Sequence, residues 1–155
     1  MAIHKIDDIN KFIRFLMDLY NDEFDYTIDY LPACYYFNCG GCYELAQIVN
    51  HYFPHTKFAV NKTFEHVAIF DGDVIDGKLV NGNLYDSYTP YTEEELNKLN
   101  IVKTKLNLDD FTVYSKEEID NFETSFGRNI KIEGKNVVNG LLDELNNIST
   151  IKIGK

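Results

Sequence analysis

Between Asp7 and Tyr20 the apolar residues Ile9, Phe12, Ile13, Leu16, Leu19 and Tyr20 recur every three or four positions. That is the stripe of an amphipathic helix with one face on a core. The stretch 21–32 is acidic and tyrosine-rich without a clear period, and it ends on Pro32, which disfavours helix at the residue before it. A second stripe of Cys42, Leu45, Ala46, Val49 and Phe53 predicts a helix from Gly41-Cys42 to about Phe53, stopped by Pro54. Glu44 in its first turn suits the positive end of the helix dipole.

Beyond Pro54 the pattern becomes extended, with β-rich runs at 57–60, 66–70, 73–76 and 84–88. Asp71-Gly72 and Asn81-Gly82 offer turn chemistry between them, so the region predicts an antiparallel meander. Thr92–Leu99 predicts a short helix opening on Glu93, Glu94 and Glu95. Ser115-Lys116-Glu117-Glu118 is a capping-box pattern for a helix running toward Phe126, with Gly127 placed to stop it. Residues 137–145 predict a last helix, and the alternation at 101–106 and 150–153 predicts strands. No internal repeat or linker divides the chain. With 155 residues and 45% hydrophobic content it reads as one α+β domain, 1–155. Its core lies at about 33–90, where the second helix packs on the meander, and the N-terminal helix and a C-terminal α/β extension pack against that core.

Charge narrows the partners. The formal net charge is -10, from 25 acidic and 15 basic side chains spread along the chain. Such a surface repels phosphate backbones and anionic lipid, which argues against direct nucleic-acid or membrane binding. No run approaches the roughly 18 apolar residues of a membrane span, and MAIHKIDDINKF has neither the apolar middle nor the cleavage site of a signal peptide. The expectation is a cytoplasmic protein. The three cysteines, Cys34, Cys39 and Cys42, are an odd cluster that does not describe a disulfide framework and points instead to catalysis or metal.

In Asn38-Cys39-Gly40-Gly41-Cys42-Tyr43-Glu44-Leu45-Ala46 a glycine pair turns the chain into a helix headed by cysteine. A thiol at that place lies against the positive helix end, the setting of a reactive cysteine. The neighbouring backbone N–H groups, that of Cys42 included, are where an oxyanion would be held. Downstream, if Phe70-Asp71-Gly72 forms a three-residue hairpin loop, Ile69 pairs with Asp73 and His66 falls opposite Asp76. His66 and Asp76 would then complete a site with Cys42, the carboxylate orienting the imidazole and the imidazole facing the thiol. Under a two-residue turn Asp76 points to the other face, and Asp86 is the reserve for the third position. Asp71 and Asp73 read as turn residues.

The order of cysteine at a helix start, histidine on a strand and aspartate on the next strand resembles the papain-like superfamily in its transglutaminase-like arrangement. Gly40-Gly41-Cys42-Tyr43-Glu44-Leu45 is similar to the nucleophile segment of arylamine N-acetyltransferases, and Cys39-Gly40-Gly41-Cys42-Tyr43 resembles that of papain. Cys39 stands where the transferases carry arginine, no glutamine precedes Cys42 at the papain position, and the chain has no tryptophan. The resemblance covers about 36–88. It implies a papain-like core and a cysteine hydrolase or acyl transferase that forms a thioester with a peptide, protein or small amide or ester, with no cofactor. Tyr35, Tyr36, Phe37 and Tyr43 are candidates to line a substrate groove. Two other readings start from the same residues. One is a zinc site on Cys34, Cys39 and Cys42 with His51, His55 or His66, and the other is a non-catalytic binding or inhibitor protein with the same fold.

Overall fold

The computed structural model describes residues 4–22, 32–38, 40–122, 135–148 and 151–154. The first amphipathic stripe forms α1 (Ile9–Asp22), whose start is capped by Asp8 Oδ1 accepting the Lys11 N–H at 2.9 Å. Phe12, Ile13, Leu16, Met17 and Tyr20 of α1 are fully buried, as the three-and-four spacing requires. A short α2 (Ala33–Tyr36) follows, and then α3 (Cys42–Tyr52). Cys42, Tyr43, Leu45, Ala46, Ile48 and Val49 of α3 are all buried, so this helix is enclosed along most of its length. Phe53, next after α3, is wholly buried, and Pro54 keeps the chain from continuing as helix.

Four antiparallel strands make the main sheet: β2 (Lys57–Asn61), β3 (Val67–Ile75), β4 (Lys78–Tyr85) and β5 (Phe111–Tyr114), in the order β4-β3-β2-β5. Phe58 pairs with Ile69 and Val60 with Val67, and these four side chains join the cluster built on α1 and α3. The alternate positions Ala59, Ala68 and Phe70 face the other way, where Leu79, Leu84 and Phe111 complete a smaller cluster. The sheet thus has apolar side chains on both faces, and the α3 face carries the larger core. Two further helices, α4 (Glu93–Lys98) and α5 (Lys116–Asp120), start at Thr92 and Ser115 with both bonds of a capping box in place. Helix α6 (Lys135–Asn146) packs on α3. The strands β1 (His4–Ile6) and β6 (Ile151–Ile153) pair in parallel as a separate ribbon. Among the described residues no helix is long and apolar enough to cross a membrane.

The expected turns moved. Instead of reversing at Asp71-Gly72 and Asn81-Gly82, the chain runs through both in one long hairpin and turns at Asp76-Gly77, with φ of 52° and 77°. An Asp-Gly pair with both φ positive is the favoured two-residue hairpin turn. Gly72 and Gly82 meet instead at the ladder's irregularity between Asp71 and Asp73. A Cβ on Gly82 would stand 2.1 Å from the Asp71 carbonyl oxygen, so these glycines permit a close crossing of backbones. The alternation at 101–106 is not a strand. Ile101 is buried while Val102 is 82% exposed, and that segment has no ladder partner among the described residues. The expected helix toward Phe126 with its stop at Gly127 passes into 123–134, outside the described residues. So do residues 23–31 of the irregular approach.

Gly82→Ala should destabilise the fold by about 1–3 kcal/mol, the usual penalty for forcing atoms into a filled space. Gly77→Asn, which tolerates positive φ, should cost less. Thermal denaturation of the two variants against the wild type checks the order.

Candidate active site

The loop from α2 to α3 closes with a 3.0 Å bond from the Gly41 N–H to the Tyr36 carbonyl. Its glycines answer to different constraints. Gly40 sits at φ +138°, a conformation that side chains rarely adopt, whereas a Cβ on Gly41 would stand 2.8 Å from Tyr36 Cε1. The Tyr36 hydroxyl donates to Glu44 Oε2 at 3.1 Å, and Glu44 is buried in the first turn of α3. The loop is therefore pinned to the helix it precedes, and Cys42 is fixed at the first helical position. N–H groups there have no acceptor within the helix. In the same loop Asn38 Nδ2 is buried without a hydrogen-bond partner.

Cys42 reaches the sheet at its next contact. The Val67 N–H, first of β3, donates to Cys42 Sγ at 3.4 Å. His66 immediately precedes Val67, and its backbone is held by Asn61. Asn61 Oδ1 accepts the Glu65 and His66 N–H groups at 2.8 and 3.0 Å, and the Asn61 N–H donates to the His66 carbonyl at 3.0 Å. The imidazole hydrogen-bonds Asp86 Oδ2 through Nε2 at 3.2 Å, and Cys42 is near enough to act on its charge. With Nε2 engaged, Nδ1 is the nitrogen left for the thiol.

Asp86 follows β4 and is fixed from the other side. Its Oδ1 accepts the N–H groups of Tyr88 and Thr89 at 2.9 and 3.2 Å. That is the turn an aspartate builds from its own side chain. Ser87 is fully buried and donates its hydroxyl to the Cys34 carbonyl, and Thr89 Oγ1 donates to Asn10 Oδ1 of α1 at 2.7 Å. Side-chain exposure is 15% for His66 and 8% for Asp86, and Cys42 is 2% exposed. Burial by itself lowers the His66 pKa. The hydrogen bonds and negative charges of Asp86 and Cys42 outweigh it and raise the imidazole from 6.5 to about 10. Cys34 differs, since burial pushes its thiol up to about 11.

The carboxylate beside His66 is thus Asp86, and the expected pairing with Asp76 is corrected. His66 precedes the nine-residue β3 and Asp76 follows it, so about 30 Å of strand separates them. Asp76 is exposed in the hairpin turn. Of the expected groove residues, Phe37 and Tyr43 are fully packed in the core, Tyr36 is half-buried and Tyr35 is 37% exposed. The Tyr43 hydroxyl donates to Asp120 Oδ1 at 3.0 Å, and burial together with that carboxylate pushes its pKa above the usual phenol range. For the zinc reading, Cys39 lies outside the described residues. His51 is exposed at the last turn of α3, and His55 pairs with Asp71 at 3.4 Å. Among the described residues no group of three or more His, Cys, Asp or Glu is placed to hold a metal ion. Asn61 and Asn38 were not singled out from the sequence. The run Asp86-Ser87-Tyr88-Thr89 did carry a signal, being rich in the residues that build turns from their side chains.

Compared with known protein families, with curated proteins and with solved structures, the chain matches none.

Because the folded His66 pKa lies above its unfolded value of 6.5, the stabilisation is complete below about pH 6.5 and is lost as pH rises toward about 10. In Asp86→Asn the His66 ring should titrate at lower pH than in the wild type, read from its proton NMR signals. The stability difference between the two proteins should be largest below pH 6.5 and shrink on the alkaline side.

Proposed function

We propose that the protein is a cysteine hydrolase or acyl transferase with a papain-like, transglutaminase-like core, acting on an amide or ester through Cys42, His66 and Asp86. The observation that carries this reading is an imidazole bonded to a buried carboxylate and standing next in the chain to Val67, whose N–H reaches the thiol at a helix start. Cys42 gives its proton to His66, and the sulfur attacks the acyl carbon. The S–C bond forms as the carbonyl π pair moves onto oxygen. The Cys42 N–H holds that oxyanion. Collapse restores the carbonyl and breaks the bond to the leaving nitrogen or oxygen, which takes the proton from His66 and leaves a thioester. Water or an amine, deprotonated by His66, then attacks the thioester, and the departing sulfur recovers the proton. Asp86 holds the ring in the orientation both steps need. Peptidase, amidase and deamidase chemistry all fit this sequence of steps. A cytoplasmic setting keeps the thiol reduced, and the net charge of -10 favours a peptide, protein or small-molecule substrate over nucleic acid.

A second reading is favoured by one observation, the 2% exposure of Cys42. In it the same residues form a structural knot in a non-catalytic binding protein. Site-resolved alkylation separates the two. An unperturbed thiol is about 0.3% ionised at pH 6, so a Cys42 that reacts through His66 should label at that pH on the order of 100-fold faster than in His66→Ala. Asp86→Asn should slow it as well, Asp76→Asn should not, and Cys34 should stay unlabelled. Equal, slow labelling of Cys42 in the wild type and in His66→Ala would favour the binding protein.

A further inference from the structure

The loop that presents His66 also presents a phenylalanine in an unfavourable place. Phe64 has φ +58° and is 39% exposed, although a bulky side chain resists that backbone conformation and an apolar ring resists water. The loop holds it there firmly. The Phe64 N–H donates to the Asn61 carbonyl at 3.0 Å, and Asn61 Nδ2 donates to Thr63 Oγ1 at 3.0 Å, beside the bonds that Asn61 makes to Glu65 and His66. Behind it stand Phe122, edge-on with ring centroids 5.3 Å apart, and Tyr114 at 6.1 Å, those two being 4.9 Å from each other.

This aromatic group is tied to the reacting pair from both sides. Phe64 is joined to His66 by two residues of chain, which span at most about 7 Å. Tyr114 pairs with Phe58, whose ring meets that of Tyr43 at 5.6 Å, and Tyr43 is the residue after Cys42. Asp120, on the helix that leads to Phe122, accepts the Tyr43 hydroxyl. Among the described residues the other exposed large apolar side chains are Tyr35 on α2, Val74 and Ile75 at the hairpin tip, and Leu99 and Val102 after α4. Strain, exposure and rigidity therefore coincide two residues from His66.

We infer that Phe64, backed by Tyr114 and Phe122, is a specificity-determining subsite that takes an apolar, preferably aromatic, side chain next to the acyl carbon. The inference rests on the reading of Cys42 as a nucleophile. Glu65 adjoins Phe64 in the chain and Asp120 lies two residues before Phe122, which sets the subsite against anionic side chains. A substrate ring stacked on Phe64 would cover its exposed face.

The test compares two chloromethyl ketones, one built on N-acetylphenylalanine and one on N-acetylglycine, with iodoacetamide as a small reference reagent. Each ketone reacts by displacement at carbon. The Cys42 sulfur forms an S–C bond, the C–Cl bond breaks, chloride leaves and the thiol proton passes to solvent. Labelling of Cys42 is followed by mass spectrometry. The phenylalanine reagent should label the wild type about tenfold faster than the glycine reagent. The ratio should fall toward one in Phe64→Gly, in which glycine relieves the positive φ so that the loop keeps its path. It should persist in Phe64→Tyr and drop in Phe122→Leu. If iodoacetamide labels Cys42 but the wild-type ratio is near one, or is unchanged in Phe64→Gly, the subsite is wrong and the nucleophile stands. If Cys42 resists all three reagents, the nucleophile reading falls and the subsite with it.

Discussion

The contact on which the site depends is the bond from the Val67 N–H to the Cys42 sulfur. It joins the first residue of α3 to the first residue of β3, the place where the main helix meets the middle of the sheet. On one side of it the α2–α3 loop is immobilised by Gly41 under the Tyr36 ring and by Tyr36 on Glu44. On the other, β3 is held in register against β2 by the Phe58–Ile69 and Val60–Val67 pairs, whose side chains face the same core as α3. A register slip of one residue would turn those side chains away and carry His66 off the thiol. The packing of the core and the geometry of the site are thus fixed by the same pairs.

Much of this was legible in the chain because it depends on short-range pattern. The α1 stripe, the α3 stripe with its stop at Pro54, and the capping boxes at Thr92 and Ser115 are local signals, and each element appears where its signal stands. Cys42 and His66 were legible for a related reason, since a glycine-led helix start and the end of a strand are places where few residues have to agree. The hairpin was misread because Asp-Gly and Asn-Gly carry the same local chemistry at turns and at irregularities within a ladder. Three such pairs compete along β3 and β4, and the one that turns is Asp76-Gly77. The others are settled by non-local contact, Gly82 being set against the backbone of Asp71. The short β5 pairs with β2 across a long connection, and its four residues Phe111-Thr112-Val113-Tyr114, though all strand-favouring, are too few to show a period.

The third member of the site follows from that one misreading. With the turn at Asp76-Gly77, β4 brings its C-terminal end back to the start of β3, where Ile69 pairs with Tyr85. Continued, that register would set position 88 opposite His66, and the turn that begins at Asp86 brings that side chain to the imidazole instead. Asp86 is held there by bonds that a side chain cannot announce from sequence alone, two backbone N–H groups on one oxygen and the imidazole on the other. The link runs further, through Ser87 to the Cys34 carbonyl and through Thr89 to Asn10, so that α1 and α2 brace the carboxylate from behind.

The energetics bear on what such an arrangement is for. A buried carboxylate costs several kcal/mol of lost hydration, which its hydrogen bonds and one cationic neighbour offset only when all are in place. Had evolution needed nothing more than a filled space behind Cys42, an apolar residue at 86 would pack there without that cost, as Val67 and Ile69 do beside it. Asp86 instead raises the proton affinity of the imidazole next to Cys42, which an apolar surround would lower.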